Sequence, residues 1–183
     1  MNISTAFRKV LANILGLFAV GETIDLETFR GVTTKHTPSQ EKRFEFLKKT
    51  ITRSNVWLLK ASRGRLGNSF LGRPVLLMTT TGHKSGRART QPLFYVEDQD
   101  SNTLLLVASN GGSPNDPLWL KNILAHPDVR ISRKGHDKIM QAHIANAEEK
   151  ALYWPKMIAA FPYWQEVSDR SQRDFPVVIL KQK

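Results

Sequence analysis

The stretch Thr79-Thr80-Thr81-Gly82-His83-Lys84-Ser85-Gly86-Arg87-Ala88-Arg89-Thr90-Gln91-Pro92 decides how the rest of the chain is read. Val75 to Thr81 runs from apolar residues into threonines, which is strand chemistry, and Gly82 ends it. Arg89 to Val96 reads as the next strand. Between them Gly82 and Gly86 bracket a turn bearing Lys84, Ser85, Arg87 and Arg89. Glycine lets backbone N–H groups approach an anion, and the side chains add charge-assisted hydrogen bonds. The fixed Gly-Lys-Ser/Thr ending of a Walker A loop is absent. A strand follows the turn where a dinucleotide fingerprint would require a helix. The unit is therefore a β-hairpin with a basic tip, and the plain alternative to an anion site is a solvated turn.

Downstream, Thr103 to Ser109 is a third strand, apolar on both faces as expected of a barrel wall with helices outside. Asn115 or Asp116 is expected to cap a helix with Pro117 in its first turn, Leu120, Ile123 and Leu124 on its apolar face, and Pro127 as its stop. Val129 to Arg133 and Lys138 to Ala145 form a hairpin around Lys134-Gly135-His136-Asp137. Asn146 and Glu149 make a capping box for a helix to about Phe161, bent by Pro155, and Phe175 to Leu180 is the closing strand. Upstream, Phe44, Leu47, Ile51 and Leu58 fall near helical spacing, while residues 21–40 read as a linker. This order predicts an α+β barrel with flanking helices, divided into an N-terminal helix and linker (1–40) and a barrel domain (41–183).

The 183 residues suffice for one domain with its own core. With no cysteine, disulfides, thiolate metal sites and a cysteine nucleophile are excluded. Lys plus Arg number 27 against 16 acidic residues, a net charge of +11 that attracts nucleic acid, anionic lipid or a polyanionic small molecule. Nothing resembles a helix-turn-helix, an RNA-recognition aromatic pair or a zinc finger, so no nucleic-acid partner is expected. Phe7-Arg8-Lys9 precedes an apolar run from Val10 to Val20 that is too short to span a bilayer. Its readings are a helix packed on the domain, an in-plane helix at the inner membrane face, or a signal peptide with a poor cleavage site. The chain is otherwise expected in the cytoplasm.

A second segment of interest is Ala108-Ser109-Asn110-Gly111-Gly112-Ser113, followed by Asn115-Asp116-Pro117-Leu118-Trp119. A strand end, a Gly-Gly loop and a helix start together suit a planar ligand with an anionic tail, or form an ordinary strand-to-helix connection. Of the aromatics, Tyr153 and Trp154 read as core, and Phe161-Pro162-Tyr163-Trp164 at a helix exit reads as a pocket lid. The five histidines lack metal spacing, so no metal is expected. The absence of a Gly-x-Ser-x-Gly elbow disfavours nucleophilic hydrolysis.

Thr79 to Leu93 closely resembles the hallmark of the deazaflavin-dependent nitroreductases and quinone reductases. Ala108 to Gly112, Pro117-Leu118-Trp119 to Asn122, Tyr153-Trp154-Pro155, and Arg53 to Leu58 with Leu66-Gly67 are also similar to that family, over about residues 44–180. The resemblance implies a split β-barrel of the FMN-binding type that holds coenzyme F420, a deazaflavin with a phosphate and an oligoglutamate tail. Lys84, Ser85 and Arg89 match residues on the phosphate, with Arg87 toward the tail. Gln91, Pro92, Leu93, Ala108, Ser109 and Asn110 match contacts along the ring and linker. Leu118, Trp119 and Asn122 fall on the helix that completes the site. The implied reaction is hydride transfer to a quinone, enone or nitro acceptor, in a pocket walled by Trp57, Phe94, Phe161 and Trp164. The family's pocket tyrosines align with Phe161, Trp164 and Val167 here, which leaves Tyr163, beside Trp164, or solvent as the proton source. His83 stands in place of an Arg, and Asn110 in place of a frequently basic residue. Two other readings stay open: an FMN-binding reductase on the same barrel, and a non-enzymatic basic domain for anionic membrane or nucleic acid.

Overall fold

A computed structural model describes residues 69–70 and 73–183. The predicted linker, the helix from Glu41, the Val10–Val20 run and Trp57 lie outside the described residues. The strands are β1 (Ser69–Phe70), β2 (Arg73–Thr81), β3 (Ala88–Phe94), β4 (Val96–Asp98), β5 (Thr103–Val107), β6 (Asp128–Arg133), β7 (His136–Ile144) and β8 (Val177–Gln182). The helices are α1 (Leu118–Ala125), α2 (Ala147–Ala160) and α3 (Tyr163–Ser171).

Pairing runs β1-β2-β6-β7-β8-β5-β4, antiparallel throughout, and β3 pairs β2 on the side away from that path. The ring closes through the chain itself. The strand expected from Arg89 to Val96 breaks at buried Tyr95: the part before it pairs β2, and the part after it pairs β5. Bending one strand lets it serve two neighbours, which is how a small sheet curls into a split β-barrel without a free edge. The α+β split barrel expected from the sequence is thus the observed fold.

Alternation along the strands sorts two cores. Leu76, Met78, Leu104, Leu106, Val129, Ile131, Met140, Ala142, Val178 and Leu180 fill the barrel, and Trp119, Leu120 and Ile123 of α1 plug one end. Leu105, Val107, Val177 and Ile179 face outward from β5 and β8 and are covered by Tyr153 and Met157 of α2 and by Tyr163, Trp164 and Val167 of α3. That β5 is buried on both faces follows, as predicted. Burying each such aliphatic side chain contributes about 1.5–3 kcal/mol, which makes these two layers the bulk of the fold's stabilisation.

Several local readings change. Pro117 itself occupies the N-cap of α1, with no side-chain cap from Asn115 or Asp116; the Asp116 carboxylate is instead engaged by Arg173. The β6–β7 turn is tighter than expected: His136 already pairs with Arg133, leaving Lys134 and Gly135 at the tip, both with positive φ. This two-residue turn matches the twist of a hairpin. The Asn146–Glu149 capping box forms in both directions, at 2.8 Å and 3.1 Å. Phe161 to Trp164 forms no lid: Phe161 ends α2, Pro162 starts α3, and the aromatics are buried beneath the two helices.

Candidate active site

β2, β5 and β7 run in one direction, so the β2–β3 turn and the loop after β5 emerge at the same mouth of the barrel, the one plugged by α1. The turn is closed by Gly82 N–H donating to the Arg87 carbonyl (2.9 Å) and by Gly86 N–H donating to the Gly82 carbonyl (2.8 Å). A side chain at Gly82 would meet Ser85 Oγ at 2.7 Å and the Arg87 carbonyl at 3.2 Å, so the position disfavours any side chain. Gly86 has φ +62° with open space where a Cβ would sit. His83, Lys84, Ser85, Arg87 and Arg89 are all exposed around this bend.

The turn is braced from below. Asn122 on α1 is buried, and its Oδ1 accepts from the His83 backbone N–H (3.0 Å) and lies 2.9 Å from His83 Nδ1. Its Nδ2 donates to Thr80 Oγ1 (2.9 Å), and Thr80 is itself buried. With Oδ1 as acceptor, His83 must carry its proton on Nδ1, which leaves Nε2 directed away from the brace. Asn122 therefore uses its amide on the protein and positions the turn. Thr79 and Thr90 tie the two strands through their hydroxyls at 2.8 Å.

Below the turn the hairpin wall has two faces. Gln91 pairs Met78, Arg89 pairs Thr80 and Leu93 pairs Leu76, so Arg89, Gln91 and Leu93 share the barrel-interior face. Gln91 Nε2 is buried without a hydrogen-bond partner. An orphaned buried donor costs about 1–3 kcal/mol and marks a place where a ligand acceptor would be welcome. Pro92 and Phe94 point to the other face. Phe94 lies 5.2 Å from Phe161, which contacts Trp164 edge-on at 5.2 Å and Tyr163 at 5.6 Å. The Arg73 guanidinium sits 5.5 Å over the Phe161 ring.

The loop after β5 is strained into shape. Asn110, Gly111 and Gly112 all have positive φ, and a Cβ on Gly112 would lie 2.9 Å from Val167 Cγ1 on α3. Arg173, after α3, holds the loop: it donates to the Ser109 and Ser113 carbonyls, pairs with Asp116, and lies 5.1 Å over the Phe175 ring. Asn110 Nδ2 donates to the Asn115 carbonyl (2.9 Å). Ser109 and Asn110 thus stand at the mouth, as does Leu118, which is 72% exposed, whereas Ala108 and Trp119 are sealed in the barrel core.

The structure brings Lys84, Ser85, Arg87, Arg89, Ser109, Asn110, Leu118 and Asn122 to one mouth, with Gln91 and Leu93 below them. It places Phe94, Phe161, Tyr163 and Trp164 in a separate aromatic cluster across the β3 wall. Five residue steps along the strand separate Arg89 from Phe94, roughly 17 Å. Thr80 and Arg173 were not singled out from the sequence; both act across long separations that no local pattern records. Among the described residues no group of His, Asp or Glu could hold a metal.

The chain is similar to several known proteins. A solved F420-H2-dependent reductase superposes with a TM-score of 0.54 at 34% identity, over 60% of this chain and 95% of its own. A domain-swapped dimer superposes with a TM-score of 0.56 at 32% identity, over 70% of this chain and 96% of its own. A provisionally named F420H(2)-dependent quinone reductase of Mycobacterium tuberculosis is 31% identical over 108 residues, 59% of this chain and 89% of that protein. A second quinone reductase of that organism is 42% identical over 76 residues, 41% of this chain and 50% of that protein, so the match spans half its length. Residues 51–182 match the model of the F420H(2)-dependent quinone reductase family, and the chain belongs to that family.

Proposed function

We propose that the chain is an oxidoreductase that uses reduced coenzyme F420 to reduce a quinone, with enones and nitro compounds as further acceptors of the same electronic kind. The observation that carries this reading is the braced basic turn above an unpartnered Gln91 amide at one barrel mouth. When bound, the reduced deazaflavin supplies the hydride, and the protein supplies alignment, exclusion of water and polarisation of the acceptor. Lys84, Ser85 and Arg89 hold the phosphate, and Arg87 meets the acidic tail. Gln91 would donate Nε2 to a ring or linker acceptor, while Leu93, Ser109, Asn110 and Leu118 line the path, with Ala108 and Trp119 as its backing; Pro92, on the other face of the wall, would act through the backbone of β3. Asn122 fixes the turn through Thr80 and His83.

Phe94, Phe161 and Trp164 form an apolar cluster across the β3 wall, which the family resemblance assigns to the acceptor side; Trp57, assigned there by the same resemblance, lies outside the described residues. Tyr163 packs beside Phe161 in the buried cluster across the β3 wall from the turn, so the proton that follows the hydride would come from Tyr163 only if the acceptor reaches that cluster, and otherwise from solvent. Among the described residues no helix is long and apolar enough to cross a membrane. A lipid-soluble acceptor and the basic charge fit work at the inner membrane face, through the Val10–Val20 segment.

Titration with F420 and with FMN, followed by fluorescence, tests the cofactor. Saturable binding of F420 with much weaker FMN binding supports the reading; the reverse order replaces it with a flavin reductase. Steep salt-dependent affinity for DNA or anionic vesicles, with neither cofactor bound, would leave a basic binding domain instead. Turnover is read as oxidation of the reduced deazaflavin on addition of a soluble quinone.

A further inference from the structure

The barrel has a second mouth, at the end away from α1. A cavity of about 280 Å³ opens there, floored by Leu104, Ile131 and Met140. Strand register shows that its rim is made of inward-facing side chains: Glu97 opposes Leu104, Lys138 opposes Ile131, and His136 opposes Arg133. Along the β6–β7 hairpin the interior face therefore passes from Val129 and Met140, through Ile131 and Lys138, to Arg133 and His136. Here charged groups point inward over an apolar floor.

The charges are unequal. Arg133 donates two hydrogen bonds to the Glu97 carboxylate, at 2.6 Å and 2.8 Å, and lies 5.8 Å over the Tyr95 ring. That pair is neutral overall. Lys134, His136 and Lys138 remain on the rim, and among the described residues none of the three has an ion-pair partner. Lys134 is held forward by the two-residue turn. The rim is thus cationic around a pocket whose volume lies at the small end of ligand sites and cannot enclose a large cofactor.

We propose that this mouth binds an aliphatic carboxylate, its tail on Leu104, Ile131 and Met140 and its carboxylate among Lys134, His136 and Lys138. The apolar floor suits a tail, and the exposed ammonium groups of Lys134 and Lys138 suit an anion. Neither feature alone selects the ligand.

Calorimetry on the full chain with octanoate tests this, with octan-1-ol, acetate and inorganic phosphate as comparisons. Saturable octanoate binding is expected, at least ten-fold tighter than each comparison, and weakened at least ten-fold in Lys138→Glu while F420 affinity stays unchanged. Lys138→Gln, which keeps the stem, is expected to weaken octanoate less and serves if the glutamate variant does not fold. No saturation by octanoate overturns the proposal. So does octan-1-ol bound as tightly, phosphate bound as tightly, or octanoate affinity indifferent to both Lys138 variants. Because F420 is titrated in parallel, failure here is distinguishable from failure of the cofactor assignment.

Discussion

The two mouths of this barrel are both cationic, yet they are built differently. At the α1 end, Lys84, Arg87 and Arg89 stand on a turn fixed by a buried amide bridging Thr80 and His83. At the far end, Lys134, His136 and Lys138 ring an apolar cavity, and Arg133 is already neutralised by Glu97. The first arrangement suits an extended polyanion held from outside by a preorganised backbone; the second suits a compact amphiphile taken inside. Positive charge is common to both, so it does not separate them. What the backbone is fastened to does.

The largest expected effect is on the brace. Asn122→Leu leaves buried Thr80 and the His83 N–H without partners, and unfolding free energy should fall by about 3 kcal/mol, measured by denaturant melts. F420 affinity should fall as well, and octanoate affinity should not. Next, Lys84→Ala or Arg89→Ala should each weaken F420 by about 1.5–3 kcal/mol, the usual worth of a charged hydrogen bond, in fluorescence titrations. Unchanged affinity in both would remove the turn from the site. Gly112→Ala combines a positive φ with a clash against Val167, and should lower the stability by about 1–2 kcal/mol in the same melts.

The smallest effect is a matter of pH, and it is expected at the far mouth. There the hydrogen bonds from Arg133 hold the Glu97 carboxyl below its ordinary value, aided by the charges of Lys134 and Lys138. A depressed carboxyl pKa stabilises the fold above the ordinary carboxylate range, and that contribution is lost as pH falls through the lowered value. Thermal midpoints should therefore drop below about pH 4.5, less steeply in Glu97→Gln. Identical profiles for the two proteins would contradict the pairing.

How much of this was legible in the sequence depends on how local the cause is. Gly82, Gly86 and the threonine run mark the hairpin because turn and strand chemistry are written in adjacent residues. The Asn146–Glu149 capping box spans three residues and forms as read. α3 is not legible in the sequence although Tyr163, Trp164 and Val167 fall at helical spacing, because Pro162 and the polar run that follows look like a loop. Asp116 looked like a cap, but its partner Arg173 is 57 residues away. The bend at Tyr95 depends on β2 and β5 being neighbours on opposite edges of one strand, which no local pattern encodes. The site divides in the same way. The cations of the turn were readable one by one, whereas the Thr80–Asn122–His83 brace and the second mouth exist only after the barrel closes.

A fluorescence titration of F420 into the native protein, Lys84→Ala and Lys138→Glu, at one ionic strength, tests the central claim most directly. The α1-end assignment predicts that Lys84→Ala weakens binding by at least ten-fold and that Lys138→Glu leaves it unchanged. Equal losses in the two variants would mean that net charge, and no particular mouth, attracts the cofactor.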